Sequence, residues 1–184
     1  LESFRQSLQE HYQSTGRYNA KVEAIVNTLP NNRAEVKLQI KENDIALLKE
    51  LNFEGNNAFS SGKLREQMEL QPDAWWKFFG NKFDATQFNQ DLEALRDYYL
   101  NRGYAKFQVA STDVQLNDEK TEARVKIVVN ENDLYTIKGA RIVGDVGGMS
   151  DELSPLLNQI RLNETFRGGD VKSVEEQIKA KLGE

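Results

Sequence analysis

Leu51-Asn52-Phe53-Glu54-Gly55-Asn56 returns later in the chain as Ala140-Arg141-Ile142-Val143-Gly144-Asp145, an alternating run stopped by glycine and a short polar residue. Lys41-Glu42-Asn43-Asp44 returns as Asn130-Glu131-Asn132-Asp133 at the same separation of about 89 residues. Tyr12-Gln13-Ser14-Thr15-Gly16 lies over Tyr99-Leu100-Asn101-Arg102-Gly103 with a small register slip, and Tyr18 and Tyr104 follow the two glycines. A period of this size is that of a small domain, not of a solenoid turn. The 184 residues therefore divide into one whole unit and two partial ones, at 1–43, 44–133 and 134–184.

The elements inside the units follow from periodicity. Phe88, Leu92, Leu95 and Tyr99 form one helical stripe, with Asp84 and Gln87 as a capping box and Gly103 as the stop. Leu1, Phe4, Leu8 and Tyr12 give the same stripe in the first unit, and Val171, Val174, Ile178 and Leu182 give it in the third. Two strand-like runs follow each stop. They are Lys21–Val26 and Ala34–Lys41 around Pro30-Asn31-Asn32, then Ala105–Leu116 and Glu122–Asn130 around Asn117-Asp118-Glu119-Lys120. Val36, Leu38 and Ile40, like Val125, Ile127 and Val129, alternate with polar residues as half-buried strands do. With a strand at Leu47–Glu54 and a short helix near Ser61–Glu69, the unit is α+β. It is a tandem β-α-α-β-β design, a three-stranded mixed sheet covered by two helices. The third unit is expected to supply a strand at Tyr135–Val143 and a helix near Asp151–Gln159, with Pro155 delaying its start. The outer units are expected to be loosely ordered or to borrow contacts, and the opening Leu1-Glu2-Ser3-Phe4 reads as a fragment or mature segment.

Composition narrows the function classes. Hydrophobic residues make up 39% and charged residues 29%, enough apolar content to fold. A net charge of −5 disfavours phosphate backbones, so nucleic acid is not an expected partner. No apolar run reaches the length of a membrane span, and the chain has no cysteine. His11, the only histidine, reads as a helix-surface residue. No catalytic set, cofactor site or metal site is expected. Asp91, Glu93 and Asp97 read as a solvated face, with carboxylate hydrolysis as a remote alternative. Gly147-Gly148 and Gly168-Gly169 read as turns, and Glu42–Asp44 and Glu131–Asp133 as hinges between units in preference to weak calcium sites.

Binding has more to work with. Trp75-Trp76-Lys77-Phe78-Phe79 is the densest aromatic cluster, read first as a plug for the core and second as a client-binding surface. Ala105–Leu116 has the less regular pattern, so it is expected at the sheet's edge with Glu122–Asn130 central. An edge strand offers backbone groups to an extended peptide unless a charge or a bulge blunts it.

The strand ending Phe53-Glu54-Gly55-Asn56, the helix ending Tyr98-Tyr99-Leu100-Asn101-Arg102-Gly103-Tyr104 and the closing strand Val125–Glu131 resemble the POTRA module of outer-membrane assembly and secretion proteins. Trp75-Trp76 after Pro72, Asp91-Leu92-Glu93 and the run Asp97–Ala105 bring the chain closest to the third module of the barrel-assembly branch, with the end of a second and the start of a fourth beside it. The resemblance implies a periplasmic scaffold at the bacterial outer membrane, whose partners are accessory lipoproteins and unfolded β-barrel precursors. It places lipoprotein docking on Val114 and Leu116 of the edge strand, with Met68 and Leu70 near the end of the first helix. Gln71 stands where a basic residue would suit a charged contact. A secretion or translocation member of the same family is the alternative.

Overall fold

The computed structural model describes residues 2–42, 44–72 and 82–183. Its elements in chain order are α1 (Glu2–Ser14), β1 (Lys21–Leu29), β2 (Arg33–Lys41), β3 (Leu47–Glu54), α2 (Ser61–Arg65), α3 (Ala85–Leu100), β4 (Gln108–Leu116), β5 (Glu122–Asn130), α4 (Ser150–Leu153), a 3-10 helix (Ser154–Gln159) and α5 (Gly168–Leu182).

The middle unit forms one sheet in the order β3-β5-β4, with β5 parallel to β3 and antiparallel to β4. Period-two alternation sets its two faces. Ala123, Val125, Ile127 and Val129 of β5 are buried, as are Leu48, Leu51 and Phe53 of β3, under Leu64 of α2 and Phe88, Leu95 and Tyr99 of α3. On the other face Arg124 pairs with Glu50 at 3.2 Å and Lys126 with Glu54 at 2.6 Å, all four half-exposed. Such surface pairs contribute about 1 kcal/mol or less each, against about 1.5–3 kcal/mol for burying one Leu or Phe, so the apolar face sets the stability.

Helix α3 begins as expected and then departs from the pattern. Asp84 Oδ1 accepts from Thr86 N at 2.7 Å and Gln87 N at 2.9 Å. The Gln87 side chain does not close the box; it donates to Asp91 Oδ1 at 3.0 Å. Buried along α3 are Phe88, Asp91, Leu95 and Tyr99, so a carboxylate takes the place in the stripe expected of Leu92.

The flanking units differ from expectation where a strand lacks neighbours. β1 and β2 make a two-stranded hairpin turned by Asn31 and Asn32, both with positive φ, as the primed turns require. Yet all nine residues of β2 are exposed, so Val36, Leu38 and Ile40 are not half-buried: two strands alone cannot shelter an apolar face. Nor does the α1 stripe reach a core, with Phe4 57% exposed. The strand expected at Tyr135–Val143 reduces to a single bridge, Thr136 with Thr165, because a strand exists only by pairing. Around Pro155 the expected helix starts at Ser150, not later, and continues from Ser154 as a 3-10 helix. The ring disturbs the α-helical ladder and tightens the chain instead. Gly168-Gly169 opens α5 and is not a free turn.

The units are joined by one backbone device used twice. Gly16 O accepts from Ala46 N at 2.9 Å, and Ala46 O accepts from Phe83 N at 2.8 Å. At the next boundary Gly103 O accepts from Tyr135 N at 2.8 Å, and Tyr135 O accepts from Phe166 N at 2.9 Å. Each glycine has a left-handed φ, +84° at Gly16 and +99° at Gly103. That conformation ends the helix and turns its carbonyl toward the following unit.

Candidate docking surface

The two margins of the middle sheet are unequal. On β3, Leu47 bridges to Lys82, the register is broken around Lys49, and the Leu51 carbonyl accepts from Arg65 Nε at 3.0 Å. β4 lies at the other margin, and its register with β5 runs unbroken from Ser111 to Leu116. Alternate N–H and C=O groups of an outer antiparallel strand point away from its partner, so this stretch can receive another strand. A bulge, one of the two devices that would blunt such an edge, falls between Val109 and Ser111 at the start of the strand.

The bulge decides which way the site residues face. Because Ala110 is skipped, Val114 lies opposite Val125 and Leu116 opposite Ala123, both on the helix-covered face. Val114 is nevertheless 37% exposed and Leu116 half-buried, since the helices stop short of this margin. Met68 and Leu70 are buried, at 5% and 6%, and contribute to the core. Gln71 is half-buried and donates its amide to the carbonyls of Arg65 at 2.6 Å and Met68 at 2.8 Å, closing the end of the α2 turn. Trp75 and Trp76 lie outside the described residues.

A second feature of this margin is not visible in the sequence. Leu92, Glu93 and Arg96 of α3 face Phe107, Gln108 and Val109 across a groove of 320 Å³ at the start of β4. The groove lies beside the bulge between Val109 and Ser111, and no residue type marks that bulge in advance.

The acidic residues read as solvated or hinge-like include two that are buried. Asp91, 2% exposed, accepts from Glu69 N at 3.0 Å through Oδ1 and from Leu70 N at 2.9 Å through Oδ2. It fastens the segment after α2 to α3, which corrects its reading as a surface carboxylate. Glu131, 8% exposed, accepts from Asn57 N at 2.9 Å, Ala58 N at 2.9 Å and Tyr99 OH at 2.7 Å. Burial, and then this bond to Glu131, hold the Tyr99 phenol above its ordinary value of 10.0. Glu131 is thus an anchor and not a hinge. Glu42, its counterpart in the first unit, stays exposed with Tyr12 OH at 3.2 Å and Arg17 Nε at 3.3 Å. Among the described residues no group of three or more His, Cys, Asp or Glu is placed to hold a metal ion, and no helix is long and apolar enough to cross a membrane.

Known proteins share this architecture. Residues 46–132 match the POTRA family, described as a surface antigen variable number repeat. The chain is 34% identical over 153 residues to the outer membrane protein assembly factor BamA of Neisseria meningitidis serogroup B, covering 82% of this chain and 19% of that protein. It is 24% identical over 180 residues to BamA of Buchnera aphidicola, covering 97% of this chain and 29% of that protein. It therefore spans less than a third of either relative. The crystal structure of Haemophilus influenzae BamA POTRA3-5 superposes with a TM-score of 0.66 at 60% identity, covering 76% of this chain and 55% of that one. With the mixed three-stranded sheet, its two covering helices and the repeated glycine junction already in place, these likenesses establish that the chain belongs to the POTRA family, among the POTRA domains of BamA-type proteins.

Proposed function

We propose that this chain is a scaffold segment of an outer-membrane protein assembly factor, acting on the periplasmic face of that membrane and doing no chemistry of its own. Its units are 1–43, 44–133 and 134–184, the middle one complete. Accessory lipoproteins and unfolded β-barrel precursors dock on the middle unit by adding a strand to β4. The observation that carries this reading is the margin from Ser111 to Leu116, which pairs with no further strand among the described residues, with the Val114 side chain 37% exposed above a buried partner strand. Backbone pairing supplies sequence-tolerant affinity, and Val114 and Leu116 supply an apolar foothold. Each net hydrogen bond contributes about 0.5–1.5 kcal/mol, so a short added strand binds weakly and gains from repetition along several units. Met68, Leu70 and Gln71 shape the surface from beneath and do not form the contact. The carboxylate-hydrolase alternative loses its best residue, since both oxygens of Asp91 are committed to backbone N–H groups.

Replacing the more exposed Val114 by Asp in the intact protein is expected to abolish capture of at least one accessory lipoprotein with little change in the unfolding midpoint of the middle unit, whereas Leu116→Asp, at a side chain packed on the core, lowers that midpoint as well. Undiminished binding of every accessory subunit would remove the docking claim.

A further inference from the structure

We propose that Asn101 caps helix α5 across the boundary between the second and third units, and that this cap, with the glycine pair Gly168-Gly169, fixes the angle between them. The first N–H groups of any helix have no partner inside it, and a side-chain oxygen ordinarily supplied by the residue just before the helix satisfies one of them. Helix α5 lacks that arrangement. Its own cap position is Arg167, in extended backbone with φ −129° and ψ 109°, and no side chain of that position bonds to the helix. The missing acceptor comes from the neighbouring unit: Asn101 Oδ1 accepts from Gly169 N at 2.7 Å. Gly169 is the second helical residue, the place where a capping oxygen normally bonds.

The glycines explain how another helix comes so close. Neither Gly168 nor Gly169 has a left-handed backbone, so conformation does not demand glycine at either place. Close approach does. A Cβ on Gly168 would lie 2.9 Å from Leu100 Cβ, and one on Gly169 would lie 3.0 Å from Asn101 Oδ1. Glycine weakens a helix and is a poor choice at its start unless something must pass near. Here the end of α3 sits against the start of α5, and the residue that closes α3 through its backbone N–H opens α5 through its side chain. Together with the bond from Tyr135 N to Gly103 O, the contact ties the two units at a second point, which resists rotation where one point would allow it.

Because the chain contains no cysteine, Ala94→Cys on α3 and Glu176→Cys on α5 allow the full chain to be spin-labelled at two exposed sites. Asn101→Ala is expected to broaden the measured distance distribution and to speed Gly169 amide exchange about fivefold, the loss that removal of one cap brings. Asn101→Asp, which retains an acceptor oxygen, is expected to keep both the narrow distribution and the slow exchange. Exchange within α3 should not change in either variant. An unchanged distribution in Asn101→Ala, or equal broadening in Asn101→Asp, would overturn the proposal.

Discussion

The first and second units close with the same pair of residues in different surroundings. Tyr12 donates to Glu42 and Tyr99 donates to Glu131, each tyrosine near the end of its helix and each glutamate just past the last strand. In the second unit the pair is buried, and the glutamate also holds the N–H groups of Asn57 and Ala58 on the loop that follows β3. In the first unit the pair lies in the open, and Arg17 is the other neighbour of Glu42. One sequence motif thus yields a structural keystone or a surface contact, according to whether a third element arrives to be fastened. The cost of losing a carboxylate follows from the donors it leaves buried without a partner.

That contrast can be broken most directly at the glutamates. Glu131→Ala leaves three donors unsatisfied and is expected to lower stability to urea by about 3 kcal/mol. Glu42→Ala is expected to leave the unfolding curve nearly in place, and equal losses would dissolve the distinction. The glycines sharpen it in the opposite direction. A Cβ at Gly16 would meet the Phe83 carbonyl oxygen at 2.2 Å, which is backbone. At Gly103 it would meet Leu134 Cδ1 at 2.5 Å and Thr165 Cγ2 at 2.6 Å, the ends of side chains that can move aside. Gly16→Ala is therefore expected to cost about 2 kcal/mol, and Gly103→Ala less, in matched thermal and urea melts. Comparable losses would mean that both junctions yield alike.

The smallest effect is a pH dependence. The folded-state value of Tyr99 lies above its unfolded value of 10.0, so the neutral phenol is the form the fold needs. Its contribution is whole below pH 10 and is lost as pH rises beyond that. Tyr99→Phe is expected to cost about 1–2 kcal/mol at neutral pH and to flatten the decline of stability in alkali. An alkaline limb as steep in Tyr99→Phe as in the parent would place that dependence elsewhere.

How much of this was legible depended on what each pattern reports. Val125, Ile127 and Val129 alternate and are buried because β5 is the central strand and α2 and α3 cover its apolar face. Val36, Leu38 and Ile40 alternate as cleanly and are exposed, because alternation shows which face is apolar and not whether anything covers it. Helix α3 was readable in extent and stop, but Asp91 was not readable as buried, since its partners are backbone groups some 20 residues away in sequence, donated by Glu69 and Leu70. The edge position of β4 followed from its irregular pattern. The bulge at Ala110 is set by the path of the strand, and with it the groove beside Phe107 remained out of reach. Gly168-Gly169 was visible as a pair, but only the approach of α3 explains it.

The Arg65 guanidinium on the Leu51 carbonyl has a consequence for crowding. With the Lys49 irregularity in the same strand and the Lys82 bridge, it obstructs the margin of β3 and leaves β4 as the more open one among the described residues. A β-structure open on both sides can polymerise, each newcomer offering a fresh template to the next. A sheet obstructed along one side has a single place of entry, so on the proposed reading an incoming strand meets β4 alone, and any further growth would have to start from that newcomer's own outer edge.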